Sequence, residues 1–279
     1  MQTFPPPPGA PPESRGAARR PARRKRTPGQ GDTSSPDFVD ALARGLNVLR
    51  CFEPGIKSLG NLELAERTGL AKSTVSRIVY TLTTLGYLRY DAETGRYAPG
   101  YGTLALGFGC LASLEVREVA RPLMETLARA TGGAVALGAF DGQSMVYVEA
   151  VHGSSALYLR LPVGYRVSMD STMGRTYLAS LPRAERDALL PKLELPSGMS
   201  AIMRKACADF ADGGCCYGIG DWQPGINAAA AAFTAITGEG TYVLSCGGPE
   251  TILPESRLRG EIAARLADVV GSLSLPCGR

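Results

Sequence analysis

One stretch, residues 61–78, constrains the fold of this chain more than any other. Ala65 is small where two helices would cross closely, and Gly69, four residues later, supplies a positive-φ turn at no steric cost. Val75 and Ile78 are spaced to plug the angle between those helices, with Leu64 and Leu70 beside them. The pattern specifies a bihelical unit and not two independent helices. Its flanks extend it. Apolar residues recur at helical spacing over residues 38–52 and stop at Pro54-Gly55, which predicts a preceding helix. The second helix is expected over residues 61–67 with Asn61 as N-cap, and the third from near Ser73 to Gly86, a suitable residue just past a helix end. Residues 87–90 and 96–98, separated by a polar turn, predict a small β-hairpin.

The third helix divides into two faces. Val75, Ile78, Val79, Leu82 and Leu85 are expected to pack inward, while Lys72, Ser73, Thr74, Ser76, Arg77, Tyr80, Thr81 and Thr84 lie largely outside that stripe. No acidic residue occurs between Thr68 and Tyr90. Short hydroxyls with Lys and Arg suit phosphates and base edges in a major groove. The plainer alternative is a surface helix capped by Ser and Thr in an unrelated protein. The hairpin with Arg89 and Arg96 argues against it.

Net charge needs to be divided before it is used. The chain carries +4, but residues 1–36 hold seven basic residues against Glu13 and Asp32, which is +5. The remainder is therefore −1, and the basic character belongs to a Pro-, Arg- and Gly-rich tail expected to be disordered. That tail either adds sequence-independent phosphate contacts or is a solvated extension, including one arising from a start assigned too far upstream. It lacks the apolar segment of a secretory signal, and no apolar run approaches a membrane span, so a cytoplasmic protein is expected. Seven scattered cysteines without a C-x-x-C, and one histidine, His152, argue against a structural zinc site or a disulfide framework and for reduced thiols. Adjacent Cys215 and Cys216 leave a strained redox pair as an alternative. No metal or cofactor is expected.

Past the hairpin, residues 101–114 read as a linker helix and 115–130 as a second helix with Val116, Val119, Leu123 and Leu127 inward. Residues 134–140, 144–151 and 156–161 read as strands, the first two joined by Asp141-Gly142. Helices are expected at 174–181, after Pro182 and at 200–211, then strands at 227–234 and 240–246, and a C-terminal helix over 254–273. Helices flanking a mostly antiparallel sheet make the second domain α+β. The expected organisation is a tail (1–36), a winged helix-turn-helix (37–99), a linker helix (100–114) and a second domain (115–275).

Here the residues resemble a known family. The run "ALARGLNVLRCF…LGNLELAERTGLAKSTVSRIVYTLTTLGYLRYDAETGRYAPG" is similar to the N-terminal domain of IclR-type regulators, and residues 91–97 match its wing in length. "VSMDSTMGRTYLASLP", "WQPGINAAAAAF" and "YVLSCGGPE" resemble a turn-plus-helix and two strands of that family's GAF-like effector-binding domain, so the resemblance covers about residues 38–275. It implies a homodimer or dimer of dimers on a pseudo-palindromic operator in double-stranded DNA. By the same resemblance Lys72, Ser73, Thr74, Ser76 and Arg77 contact the operator, with Tyr80 on the same face, while Arg44 and Arg96 bind backbone phosphate. The effector is placed at Thr172, Met173 and Gly174, Ala228 and Ser245, with Asp221 and Trp222 alongside. Some family members that bind a small carboxylate have Cys where Ala228 stands and Ser where Gly247 stands. The less polar pattern here favours a larger or aromatic acid. Trp222 either lids the pocket or packs under a loop; Arg160, Arg166 and Arg175 are further candidates to neutralise a carboxylate.

No nucleophile elbow, P-loop, dinucleotide fingerprint or zinc-protease motif is present, and His152 reads as a strand-end turn residue, so catalysis is not expected. The alternatives are a GAF-like small-molecule enzyme with an accessory helical domain, and an architectural DNA-binding protein dominated by its tail.

Overall fold

The computed structural model describes residues 36–153 and 162–275. The expectations for the basic tail, for a strand over 156–161, for Arg160 and for Cys277 fall outside these residues.

The N-terminal part is α1 (Asp40–Arg50), α2 (Asn61–Thr68), α3 (Lys72–Thr84) and a hairpin of β1 (Leu88–Asp91) and β2 (Arg96–Pro99). Gly69 ends α2 in the left-handed conformation, φ +67°, as the bihelical pattern requires. Val48, Leu64, Ala65, Val75, Val79 and Leu88 converge in one buried core. Each larger one contributes about 1.5–3 kcal/mol relative to exposure. Two local expectations are corrected. Asn61 is the first helical residue and Gly60 the N-cap; the Glu63 carboxylate accepts the Gly60 amide at 2.7 Å, doing the capping that Asn61 was expected to do. Leu85 is 63 % exposed, because it falls at the C-cap where the chain leaves α3 for Gly86. A third short strand contact, unforeseen in the sequence, pairs Leu59 with Tyr97 through two backbone hydrogen bonds of 2.9 and 2.8 Å.

Helices α4 (Tyr101–Ala112) and α5 (Glu115–Thr131) follow, separated by Ser113 and Leu114. The inward face of α5 is Val116, Ala120, Met124, Leu127 and Ala128, and Val119 is exposed. Val119 was expected inside, but the buried stripe passes through the small Ala120 instead. Then come β3 (Ala134–Phe140), β4 (Met145–His152), β5 (Arg166–Val167), α6 (Thr172–Ser180), α7 (Arg183–Leu189), α8 (Met199–Gly213), β6 (Cys215–Ile219), β7 (Ile226–Thr234) and β8 (Thr241–Pro249). The chain closes with α9 (Glu255–Arg257), a π turn at Leu258–Ile262 and α10 (Ala263–Leu273).

These strands form one antiparallel sheet ordered β5-β4-β3-β8-β7-β6. The architecture is α+β: α5 and α10 cover one face with a core around Met124, Leu137, Leu244 and Leu266, and α6 and α8 cover the other around Met145, Leu178, Met203 and Val243. Strand β6 was not expected, since Cys-Cys-Tyr-Gly-Ile carries no alternation; it is buried on both sides and so has none to show. Among the described residues no helix is long and apolar enough to cross a membrane.

Gly100 tests the junction between hairpin and α4. A Cβ there would sit 2.2 Å from the Gly86 carbonyl oxygen, a backbone atom that cannot swing away. Gly100→Ala is expected to cost about 1–3 kcal/mol and lower the thermal midpoint. Gly271→Ala, on α10 with nothing within 4 Å, is expected to leave or raise it. Calorimetry of the two variants checks the contrast.

Candidate DNA-reading face and ligand pocket

Helix α3 presents Lys72, Ser73, Ser76, Arg77, Tyr80, Thr81 and Thr84 exposed, with Tyr80 at 73 %. Several hydroxyls are already engaged. Ser76 donates to the Lys72 carbonyl at 2.9 Å and accepts from Asn61 Nδ2 at 2.7 Å, which ties α2 to α3. Thr81 and Thr84 donate to carbonyls four residues back, leaving oxygen lone pairs facing outward. Thr74 is half-buried and departs from the set: together with Arg44 and Arg77 it lines the groove between α1 and α3. Arg44 stands exposed, 4.0 Å from Asp40, a pairing that holds it only loosely.

Arg96, expected on phosphate, is committed elsewhere. Its guanidinium donates to Ser58 Oγ and the Ser58 carbonyl, both at 3.0 Å, and pairs with Glu63 at 2.8 Å. The Gly60 amide and Arg96 hold the Glu63 carboxyl below its ordinary range. Arg96 is therefore a clasp joining β2 to the start of α2. Arg89 lies over the Tyr101 ring at 5.2 Å and donates to the Pro99 carbonyl.

In the second half a cavity of about 80 Å³ opens between the sheet and the start of α6. That is several times the ~15 Å³ one water needs. Five of the expected effector residues line it, Thr172, Met173, Ala228, Ser245 and Trp222, the last 43 % exposed. Gly174 and Asp221 do not. Gly174 backs onto Met169, where a Cβ would lie 2.4 Å from Met169 Cα, and it donates its amide to the Ser171 hydroxyl that caps α6. Asp221 is bound at 2.8 Å to Arg175, which is 5 % exposed and also reaches Thr172 Oγ1. Arg175 thus braces the loop that carries Trp222, and Arg166 pairs with Asp141 instead of facing the pocket. The helix starts at Thr172, so Thr172 and Met173 offer first-turn amides where a turn was expected.

Tyr147, His152, Ser171 and Gly218 also line the cavity, roles that sequence reasoning missed. Strict alternation along β4 would have put the first two on opposite faces, so no sequence signal joined them. Burial and neighbouring Tyr165 push the Tyr147 hydroxyl up to about 12 against the pull of its hydrogen bond with Ser245, so it stays protonated at neutral pH. Gly218 is obligatory: a Cβ would come 2.1 Å from Thr172 Oγ1 and 2.9 Å from Arg175 Nη2.

The adjacent thiols do not form a pair. Cys215 joins the core under α5 and Cys216 the core under α6, on opposite faces of β6. Burial pushes Cys215 to about 11, Cys216 to about 12 and Cys246 to about 11. At pH 8 a maleimide should therefore modify exposed Cys110 quickly and leave those three untouched until denaturant is added, as peptide mapping would show.

Residues 41–92 match the IclR helix-turn-helix domain and residues 108–275 the C-terminal domain of bacterial IclR transcriptional regulators. The chain is 29 % identical over 253 residues to the HTH-type transcriptional regulator TsaQ1/TsaQ2 of Comamonas testosteroni, covering 88 % of this chain and 91 % of that protein. A crystal structure of an IclR-family transcriptional regulator from Brucella abortus is 40 % identical, covers 87 % of this chain and 94 % of its own, and superposes with a TM-score of 0.76. An IclR homologue from Microbacterium hydrocarbonoxydans, crystallised with 4-hydroxybenzoate, shares the fold at 21 % identity and a TM-score of 0.62, over 83 % of this chain and 99 % of its own.

Proposed function

This chain belongs to the IclR family of transcriptional regulators, and from that premise we propose that it reads a specific operator with α3 and responds to a small organic acid bound at the cavity beside α6. The observation that carries the reading is the exposed, acid-free face of α3: Lys72, Ser73, Ser76, Arg77 and Tyr80 meet base edges and phosphates, Arg44 adds a phosphate contact, and Thr74 supports the helix from the α1 groove. Arg96 keeps the hairpin and α2 in register and contributes to DNA binding through that geometry. Family membership favours this over an enzyme with an accessory helical domain.

For the effector, the cavity supplies the start of α6, where helix amides attract an anion, and the hydroxyls of Thr172, Ser245 and Tyr147. Apart from Ser171, His152 and Trp222, its remaining walls are Ala, Gly, Val, Ile and Met, and suit an apolar or aromatic body. Trp222 covers the bound acid. None of the residues of α4 is buried, and Tyr101, Leu104, Leu106 and Phe108 are more than half exposed. With Leu42 and Leu46 of α1 they form the apolar surface through which two copies associate. Effector binding then shifts the relative placement of the two winged helices and changes operator affinity.

Arg77→Ala is expected to lower affinity for an operator selected by the full chain about 10- to 100-fold, the scale of one lost base contact, and to erase its footprint. Removal of residues 1–36 should lower affinity and leave the footprint in place. The reverse pattern, with Arg77→Ala silent and tail removal abolishing binding, overturns the assignment. A thermal-shift screen of aromatic and aliphatic carboxylic acids, starting with 4-hydroxybenzoate, is expected to yield stabilising acids whose effect is lost in Thr172→Val; no stabilising acid, or an undiminished shift in the variant, counts against the pocket.

A further inference from the structure

The break between α4 and α5 is held from two directions by carboxylates that the pocket sheet carries. From the turn joining β7 to β8, Glu239 reaches the first residues of α5. Its Oε1 accepts the Glu115 amide at 2.7 Å and its Oε2 accepts the Val116 amide at 2.9 Å, and the Thr237 hydroxyl donates to the same Oε2 at 2.7 Å. Burial works to raise the Glu239 carboxyl, but these three donors together hold it below its ordinary range, so it is a carboxylate at neutral pH.

From β4 comes Glu149, whose side chain is 4 % exposed. It pairs with Arg117 at 3.0 Å and Arg121 at 3.1 Å, both on α5. The other terminal nitrogen of Arg117 donates at 3.1 Å to the carbonyl of Leu111, in the last turn of α4. One guanidinium thus links β4 to the end of α4. At its other end α4 is tied to the DNA-reading part: the Gly100 amide donates to the Tyr87 carbonyl at 2.8 Å and the Gly102 amide to the Gly86 carbonyl at 3.0 Å. Because no residue of α4 is buried, core packing does little to aim it, and the hydrogen bonds at its two ends carry that task.

The strands that supply these carboxylates also wall the cavity. Tyr147, Ala150 and His152 come from β4, while Ala228 and Ser245 come from the two strands that the Glu239 turn joins. We propose that Glu149 and Glu239 are positioning residues that fix the bend between α4 and the sensing domain, and so set the spacing at which two DNA-reading units meet their half-sites. The same two residues connect the walls of the cavity to that bend. This inference rests on the reading of a paired, operator-binding regulator given above.

The test uses the full chain and an operator selected by the wild type from random duplexes, re-synthesised with up to about five base pairs, half a helical turn, inserted between half-sites. The wild type is expected to prefer one spacing by about tenfold or more, since avidity collapses where geometry forbids simultaneous engagement. Glu149→Gln and Glu239→Gln keep the side-chain shape and lose the charge. They are expected to flatten that preference to within about threefold while holding affinity for a single half-site within about twofold. Arg117→Lys keeps a charge beside Glu149 but cannot bridge to Leu111, and should flatten the profile even if Glu149→Gln fails to fold. Variant profiles identical to the wild type overturn the proposal. So does an equal loss at every spacing and on the single half-site, which marks general damage to the fold. A wild type without spacing preference defeats the paired reading itself, and this inference with it.

Discussion

Side chains along a strand point alternately to the two faces of a sheet, and in β4 that alternation is broken once. The pairing with β3 runs Leu137 to Glu149 and then Gly138 to Tyr147, so Val148 is an extra residue. Val148 and Glu149 consequently both face α5, while Tyr147, Ala150 and His152 face the cavity. Without the bulge, Tyr147 and Glu149 would share a face. Either the carboxylate would enter the apolar cavity or the tyrosine would lie among the arginines of α5. One inserted residue therefore separates the cavity lining from the charged cluster behind it.

Glycine and alanine make that cavity possible. Gly218 admits Thr172 and Arg175 against the sheet, and Ala136, Ala150 and Ala228 leave the floor low. A buried arginine would be expensive without a partner; Arg175 has Asp221 and Thr172, and the pairing fixes the loop bearing Trp222. The cavity has an anion-attracting helix start and no arginine of its own among the described residues that line it.

The DNA-reading part follows a different logic, in which local order frees one face. Its core of Val48, Leu64, Ala65, Val75, Val79 and Leu88 is small but complete, and the Ser58–Glu63–Arg96 clasp locks the hairpin to α2. With α3 held by Val75 and Val79, and by the Asn61–Ser76 hydrogen bond to α2, the rest of its outward face is left to solvent. That is the condition for a surface to be spent on a nucleic acid.

The sequence by itself determined the helix-turn-helix, the hairpin and most of the helices and strands that follow, because these rest on local chemistry: Ala65, Gly69 and Val75 act within ten residues of each other, and apolar periodicity reports which face is buried. It also marked Thr172, Ala228 and Ser245 through a family resemblance over about residues 38–275. Only the tertiary structure decided the rest. Arg96 reads as a phosphate ligand until Ser58 and Glu63 are brought to it, and Asp221 reads as a ligand residue until Arg175 takes its carboxylate. Strand β6 and the β4 bulge leave no periodic trace, since a strand buried on both faces does not alternate and a bulge breaks the alternation it would be found by. The joint of Glu149, Arg117, Leu111 and Glu239 includes the bond of Glu239 to the Glu115 amide, 124 positions away. Pairings of that range are set by how the sheet closes, which no local pattern encodes.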